Sequence, residues 1–160
     1  MIWTIWLRPL PEMNSKMFYE SNDLIIRPYR QGDEPSLAFY SNNRLIAAQM
    51  QSWFPSPFTY DDALVWVADN LQSNSNFPII YYGDVIGNVG LRNISGNSAE
   101  IVVWLGPDFW NKGIGTRACQ WMADFAKVEL KISKLSAAIK SGNAAAERIA
   151  ERMKITRNEF

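Results

Sequence analysis

The chain has no histidine and only one cysteine, Cys119, among its 160 residues. Without histidine there is no imidazole base, no Ser-His triad and no histidine-bearing metal site, and no metal is expected. Acid–base work must fall to carboxylates, tyrosines, lysines or water. With one cysteine no internal disulfide can form, which fits a reducing compartment such as the cytoplasm. No apolar run reaches the length of a membrane span. Met1 to Leu7 is apolar but too short for a bilayer, has no basic start before it, and is ended by Pro9 and Pro11. Repeats and low-complexity tracts are also missing. The formal net charge is +0, which argues against a dedicated nucleic-acid binder.

What is present suits one domain with a proper core. Residues 1–21 read as an added arm, an edge strand or a dimer contact, ahead of a domain over residues 22–160. Met17 could also serve as an internal start. The charges are unevenly spread. Up to Trp110 there are six basic residues against eleven acidic; from Asn111 onward there are ten against five. The two parts are thus near −5 and +5, as a basic half receiving a polyanion and an acidic half receiving a cationic substrate would be. Solvated faces that merely differ would give the same count.

Element signals follow in order. Leu24-Ile25-Ile26-Arg27, stopped by Pro28, reads as a strand, and Asp33 with Pro35 marks a helix start. That helix is expected to break near Asn42-Asn43. Thr59 is expected to cap a second helix with Asp61 and Asp62 in its first turn. Phe77–Tyr82 and Val85–Arg92 form a hairpin around Gly83-Asp84, and Ala99–Leu105 a further strand. A helix from Thr116 to Val128, a strand Lys134–Ile139, a helix Ala144–Met153 and a last strand from Ile155 complete a mixed α/β order. It is an antiparallel meander leading into a βαβ crossover.

Between strand and helix lies Trp110-Asn111-Lys112-Gly113-Ile114-Gly115-Thr116. A glycine-bearing turn there presents backbone N–H groups at the positive end of a helix, where a phosphate is held. The Walker loop is excluded because Lys112 precedes its glycine. The dinucleotide fingerprint is excluded because Lys140 stands where an acidic residue should. Glycines serving only backbone packing explain the turn equally well.

Over roughly Asp23 to Phe160 the chain resembles the GNAT superfamily of acyl-CoA N-acetyltransferases, in its RimJ/RimL-like branch. The motifs that carry the resemblance are Trp110 to Gly115, Leu24-Ile25-Ile26-Arg27-Pro28, and Asn143-Ala144-Ala145-Ala146 with Ile149 to Arg152. The resemblance implies a central mixed, mostly antiparallel sheet, flanked by helices and splayed at its fourth and fifth strands, Ala99–Leu105 and Lys134–Ile139. It implies acetyl-CoA as co-substrate, with the diphosphate on the amides of Asn111, Lys112, Gly113, Ile114, Gly115 and Thr116 after Trp110. The pantetheine would lie along Val103, Trp104 and Leu105 and meet the Asn143 side chain. Lys112 and Arg117 could add charge near the phosphates.

Amine acetylation needs a base and oxyanion donors. Glu100, a carboxylate at the head of an apolar strand and similar to the glutamate base of related histone acetyltransferases, is the candidate base. The Leu105 N–H is the candidate oxyanion donor. Alternation puts Glu100, Val102 and Trp104 on one face and Ile101, Val103 and Leu105 on the other, unless a bulge re-aims them. The aromatics Trp53, Phe54, Phe58, Tyr60 and Trp66 would line an acceptor pocket or, as favoured for Trp66, form core.

The chain departs from the family pattern in several places. Ala150 stands where a tyrosine acid is usual, Ala146 replaces a serine, and Lys154-Ile155 replaces a Gly-Phe pair. Family members also continue through a further strand, so an uncovered sheet edge and a homodimer are expected. The expected acceptor is a primary amine of a small molecule, peptide or protein N-terminus. The alternative is a non-catalytic CoA-binding or regulatory module; a toxin-like enzyme acting on aminoacyl-tRNA is disfavoured by the neutral charge.

Overall fold

The computed structural model describes residues 19–160. Its seven strands lie side by side in chain order. From β1 (Tyr19–Glu20) through β2 (Leu24–Ile26), β3 (Asn76–Tyr81) and β4 (Asp84–Ser95) to β5 (Ser98–Leu105), neighbours are antiparallel. β6 (Lys134–Ile139) and β7 (Thr156–Glu159) then add in parallel. Parallel neighbours need a crossover. Helix α4 (Ile114–Glu129) makes the first and α5 (Ala144–Met153) the second. The mixed, mostly antiparallel sheet expected from the sequence is what forms, with two crossovers instead of one.

The period-2 pattern of β5 divides the core into two layers. Ala99, Ile101 and Leu105 pack with Ile114, Ala118, Met122 and Phe125 of α4 and Ala150 of α5. Trp104 points the other way, into a cluster holding Leu37 of α1 (Glu34–Ser41), Ile46 of α2 (Arg44–Ala47) and Val67 of α3 (Tyr60–Asn70). Phe54 and Phe58 are buried in the same cluster and Trp66 packs against it. Most of the aromatic segment is therefore core, while Tyr60 is exposed.

Local chemistry sets the element ends. Thr59 Oγ1 accepts from Asp62 N–H at 3.2 Å while the Asp62 carboxylate accepts from Thr59 N–H at 2.7 Å, a capping box that starts α3. Asn43 accepts from Leu45 N–H at 2.8 Å and opens α2 after the expected break. Asp33 precedes α1, but its side chain makes no cap. The two terminal guanidinium nitrogens of Arg27 hold it, at 2.9 and 2.8 Å, together with Arg30 N–H at 3.0 Å. The β3–β4 hairpin turns through Tyr82 and Gly83, both at positive φ, as a tight two-residue hairpin requires.

Of the arm over residues 1–21, all but the last three residues lie outside the described residues. Its end pairs as β1 and is fastened to α4. Arg117 donates to Asp23 at 3.0 Å, to Ser21 Oγ at 2.6 Å and to Tyr19 Oη at 3.2 Å. Arg117 is thus occupied at the sheet's opposite edge and does not add charge near the glycine turn. Hydrogen bonding to Arg117 holds the Asp23 carboxyl down at about 2, from its ordinary 3.8. Because the folded value is depressed, this stabilisation is fully present above about 3.8 and is lost as pH falls through about 2. In Arg117→Gln, the Asp23 carboxyl carbon followed by NMR should titrate close to 3.8, and the variant should lose less stability than wild type over that acid window.

The opposite edge, β7, is exposed along its whole length. Among the described residues no helix is long and apolar enough to cross a membrane.

Candidate active site

β5 and β6 are joined only at their starts, where Ser98, Ala99 and Glu100 face Lys134, Leu135 and Ser136. Beyond that point the strands part. Gly106 N–H donates to the Ile86 carbonyl of β4 at 2.8 Å. Alternation therefore turns the peptide groups of Leu105 and Val103 the other way, into the gap. The Leu105 carbonyl accepts from Trp110 Nε1–H at 2.9 Å. The Leu105 N–H and the Val103 peptide have no strand partner. The β4–β5 register runs without a shift from Gly87↔Leu105 to Arg92↔Glu100, so no bulge re-aims these groups.

The chain leaves β5 through a short 3-10 turn, Pro107–Phe109, and reaches the glycine turn. Asn111 and Gly113 both take positive φ, 60° and 76°. The latter breaks the chain just ahead of Ile114, so α4 begins two residues before the expected Thr116. The first helical bond there is Arg117 N–H to the Gly113 carbonyl, and no side chain caps this end. Among the described residues, the N–H groups from Asn111 to Thr116 have no acceptor. They form a fan of donors at a positive helix end, which suits a diphosphate.

These features open into one cleft of about 410 Å³. It brings together Val103, Trp104, Leu105, Trp110, Asn111, Gly113, Ile114, Gly115, Thr116 and Asn143, as the sequence suggests. Lys112 is exposed and lies outside this lining. Trp110 reaches the cleft as a strut, its indole tying the turn to the end of β5. The Asn143 side-chain oxygen accepts from Ala146 N–H at 3.2 Å, capping α5 and leaving its amide NH₂ for a ligand. An added Cβ at Gly115 would meet Ile149 and Leu105 only at ordinary contact distances. The space beside this glycine would just accept a methyl group.

Sequence reasoning missed the opposite walls: Ile46, Gln49 and Met50 at and after α2, and Ala145, Arg148, Ile149 and Arg152 along α5. The i, i+4 arginines in the basic half of the chain were the signal for the second wall.

A smaller cavity of about 100 Å³ shares Gln49, Met50, Val103, Asn143, Ala146 and Ile149 with the cleft. Glu100 lines it beside Trp53 and Gln51. Glu100 is half-buried and stands on the last rung joining β5 to β6, at the throat of the V. Arg92 is its cross-strand neighbour, but that guanidinium lies 3.8 Å over the Trp53 ring. No ion pair reaches Glu100 among the described residues. Among the described residues the other titratable side chain in this lining is Cys119, whose thiol burial pushes up to about 12, leaving it neutral. No tyrosine, serine or lysine lines either cavity among the described residues. Nor is there a group of His, Cys, Asp and Glu there able to hold a metal.

Residues 23–156 match the acetyltransferase (GNAT) domain family. The chain belongs to that family. A Bacillus subtilis protein named provisionally as a ribosomal N-acetyltransferase, YdaF, is 30% identical over 77 residues, covering 47% of this chain and 42% of that relative. The chain thus matches less than half the length of this curated relative. A GNAT acetyltransferase from Bacillus anthracis superposes with a TM-score of 0.74 at 23% identity, over 86% of this chain and 82% of that one. RimL, described as a ribosomal L7/L12 α-N-protein acetyltransferase in complex with coenzyme A, gives 0.71 at 19% identity, over 82% and 79%. At these identities the likeness carries the fold. The seven-stranded GNAT sheet found here, flanked by helices, is common ground with these structures. Ala150 and Ala146, where the GNAT pattern expects hydroxyl side chains, both line the smaller cavity.

Proposed function

We propose that this GNAT protein transfers the acetyl group of acetyl-CoA to a primary amine, in a ternary complex and by direct attack. The observation that carries this reading is the fan of unpaired N–H groups from Asn111 to Thr116, opening into the same cleft as the unpaired edge of β5. The fan would hold the diphosphate, and the Val103 peptide groups would take the pantetheine as an added strand, leaving the Leu105 N–H for the thioester carbonyl. The Asn143 amide would bond the same arm.

In the reaction the amine nitrogen bonds to the thioester carbonyl carbon and the C–S bond breaks. Glu100, directly or through water, takes the proton the nitrogen sheds. The Leu105 N–H, turned into the gap, stabilises the charge that develops on the carbonyl oxygen. The departing thiolate leaves without a side-chain acid and is protonated by solvent. The acceptor enters beside Trp53 and Gln51. Relatives named for ribosomal-protein N-acetylation favour the N-terminus of a protein or peptide. Such an acceptor would place the work in the cytoplasm. The exposed edge at β7 favours a homodimer.

Calorimetry with CoA, followed by thiol release across a panel of N-terminal peptides and small amines, tests the reading. Micromolar binding and release that depends on one amine class are expected. Failure to bind CoA would overturn it. Binding without transfer to any amine would favour the second reading, a CoA-binding module without turnover. That reading draws on the lack of a tyrosine or serine hydroxyl in either lining.

A further inference from the structure

The diphosphate proposed for the glycine turn leaves one feature of the cleft without a role. Among the described residues, Arg148 and Arg152 are the only charged side chains in its lining, and both are positive. They stand four residues apart on α5, in one stripe with Ala145 and Ile149, on the wall facing the turn. Both are exposed, and the ion pairs among the described residues, Arg27–Asp33 and Arg117–Asp23, involve neither. Glu147 and Glu151 are outside the lining. Two like charges at this spacing repel each other, so an anion between them would relieve a cost the free protein bears.

Their place along the helix says which anion. Asn143 lines both cavities and marks the end near Glu100. At about 1.5 Å per residue, Arg152 lies roughly 13 Å further along the axis, at the end away from the chemistry. The turn holds a diphosphate with backbone amides and adds no side-chain charge of its own, because Lys112 is outside the lining and Arg117 is bound to Asp23. Guanidinium pairs suit a phosphate monoester, which presents three terminal oxygens and carries more charge than a bridging phosphate.

We infer that Arg148 and Arg152 form a separate site for the phosphate monoester on the ribose of CoA, making the protein select CoA over 3′-dephospho-CoA. This rests on the proposed CoA reading.

Calorimetry with both ligands, on wild type and on Arg148→Gln/Arg152→Gln, tests it. Wild type should bind CoA at least about tenfold more tightly than the dephospho form, and that preference should shrink as salt rises. The double variant should lose the preference while its affinity for dephospho-CoA stays within about twofold. Equal binding of the two ligands by wild type would overturn the inference. So would equal weakening of both in the variant, which would assign the arginines to the diphosphate. Should the double variant fail to fold, the single variants and the wild-type preference still decide. Wild type binding neither ligand would overturn the CoA reading itself, a result distinct from binding both equally.

Discussion

Glu100→Gln should lower kcat for amine acetylation by about 10²- to 10⁴-fold near neutral pH and leave CoA affinity within about twofold. The substitution keeps the size and shape of the side chain and removes only its ability to take a proton. Its setting makes that ability the function at stake. Glu100 ends the joined part of β5 and β6, lines the cavity next to the cleft, and has no ion-pair partner among the described residues although Arg92 stands opposite. Arg92 is diverted onto Trp53. A carboxylate free of a fixed counter-charge at the throat of the cleft is a candidate base with a clear geometric warrant. Steady-state kinetics with the best amine, together with CoA calorimetry, measure the two quantities separately. An unchanged kcat would remove Glu100 from the chemistry and leave the deprotonation to water.

Trp104→Ala should cost about 3–5 kcal/mol of folding stability, lowering the melting temperature by roughly 10 °C or more. Trp104 is 4% exposed and gathers the whole aromatic layer. Its ring centroid lies 6.2 Å from Trp53, 5.2 Å from Phe54 and 5.3 Å from Trp66, each in edge-on geometry. Its Nε1–H donates to Ser41 Oγ at 3.0 Å, and Ser41 is itself 1% exposed. Truncation opens a cavity and leaves that hydroxyl without its donor. Trp104→Phe separates the two costs. It keeps most of the ring contacts and should lose about 1–2 kcal/mol, mainly from the lost hydrogen bond. Chemical denaturation of both variants checks the ordering. Equal losses would mean that the hydrogen bond, and not the ring packing, dominates.

Much of this fold is written locally. The capping box at Thr59–Asp62, the break at Asn42-Asn43 and the hairpin at Gly83 each depend on neighbours a few residues away, and the structure contains all three. The strand–turn–helix around Gly113 is local in the same sense, so the residues lining the cleft there could be read from the chain. What the sequence did not disclose depends on distant partners. Arg117 sits in the first turn of α4, where helix geometry alone would send it to a phosphate, yet Asp23, 94 residues away, claims it. Lys112 stands within the motif but outside the cleft lining, between Asn111 and Gly113, both at positive φ. Asp33 precedes a helix as a cap should, but Arg27 outcompetes the helix amides for its carboxylate. The i, i+4 spacing of Arg148 and Arg152 puts them on one face of α5, but where that face turns is fixed by how α5 lies against β6 and β7.

The short ladder between β5 and β6 has a dynamic consequence. With only the stretch from Ser98 to Glu100 joined across this boundary, the amides of Val103 and Leu105 should exchange with deuterated solvent far faster than their neighbours Val102 and Trp104, which face β4. Bound acetyl-CoA would slow both, the Val103 amide through the pantetheine and the Leu105 amide through the thioester carbonyl, so the free protein would behave like a sheet with a slot held open for a strand that arrives from outside the chain.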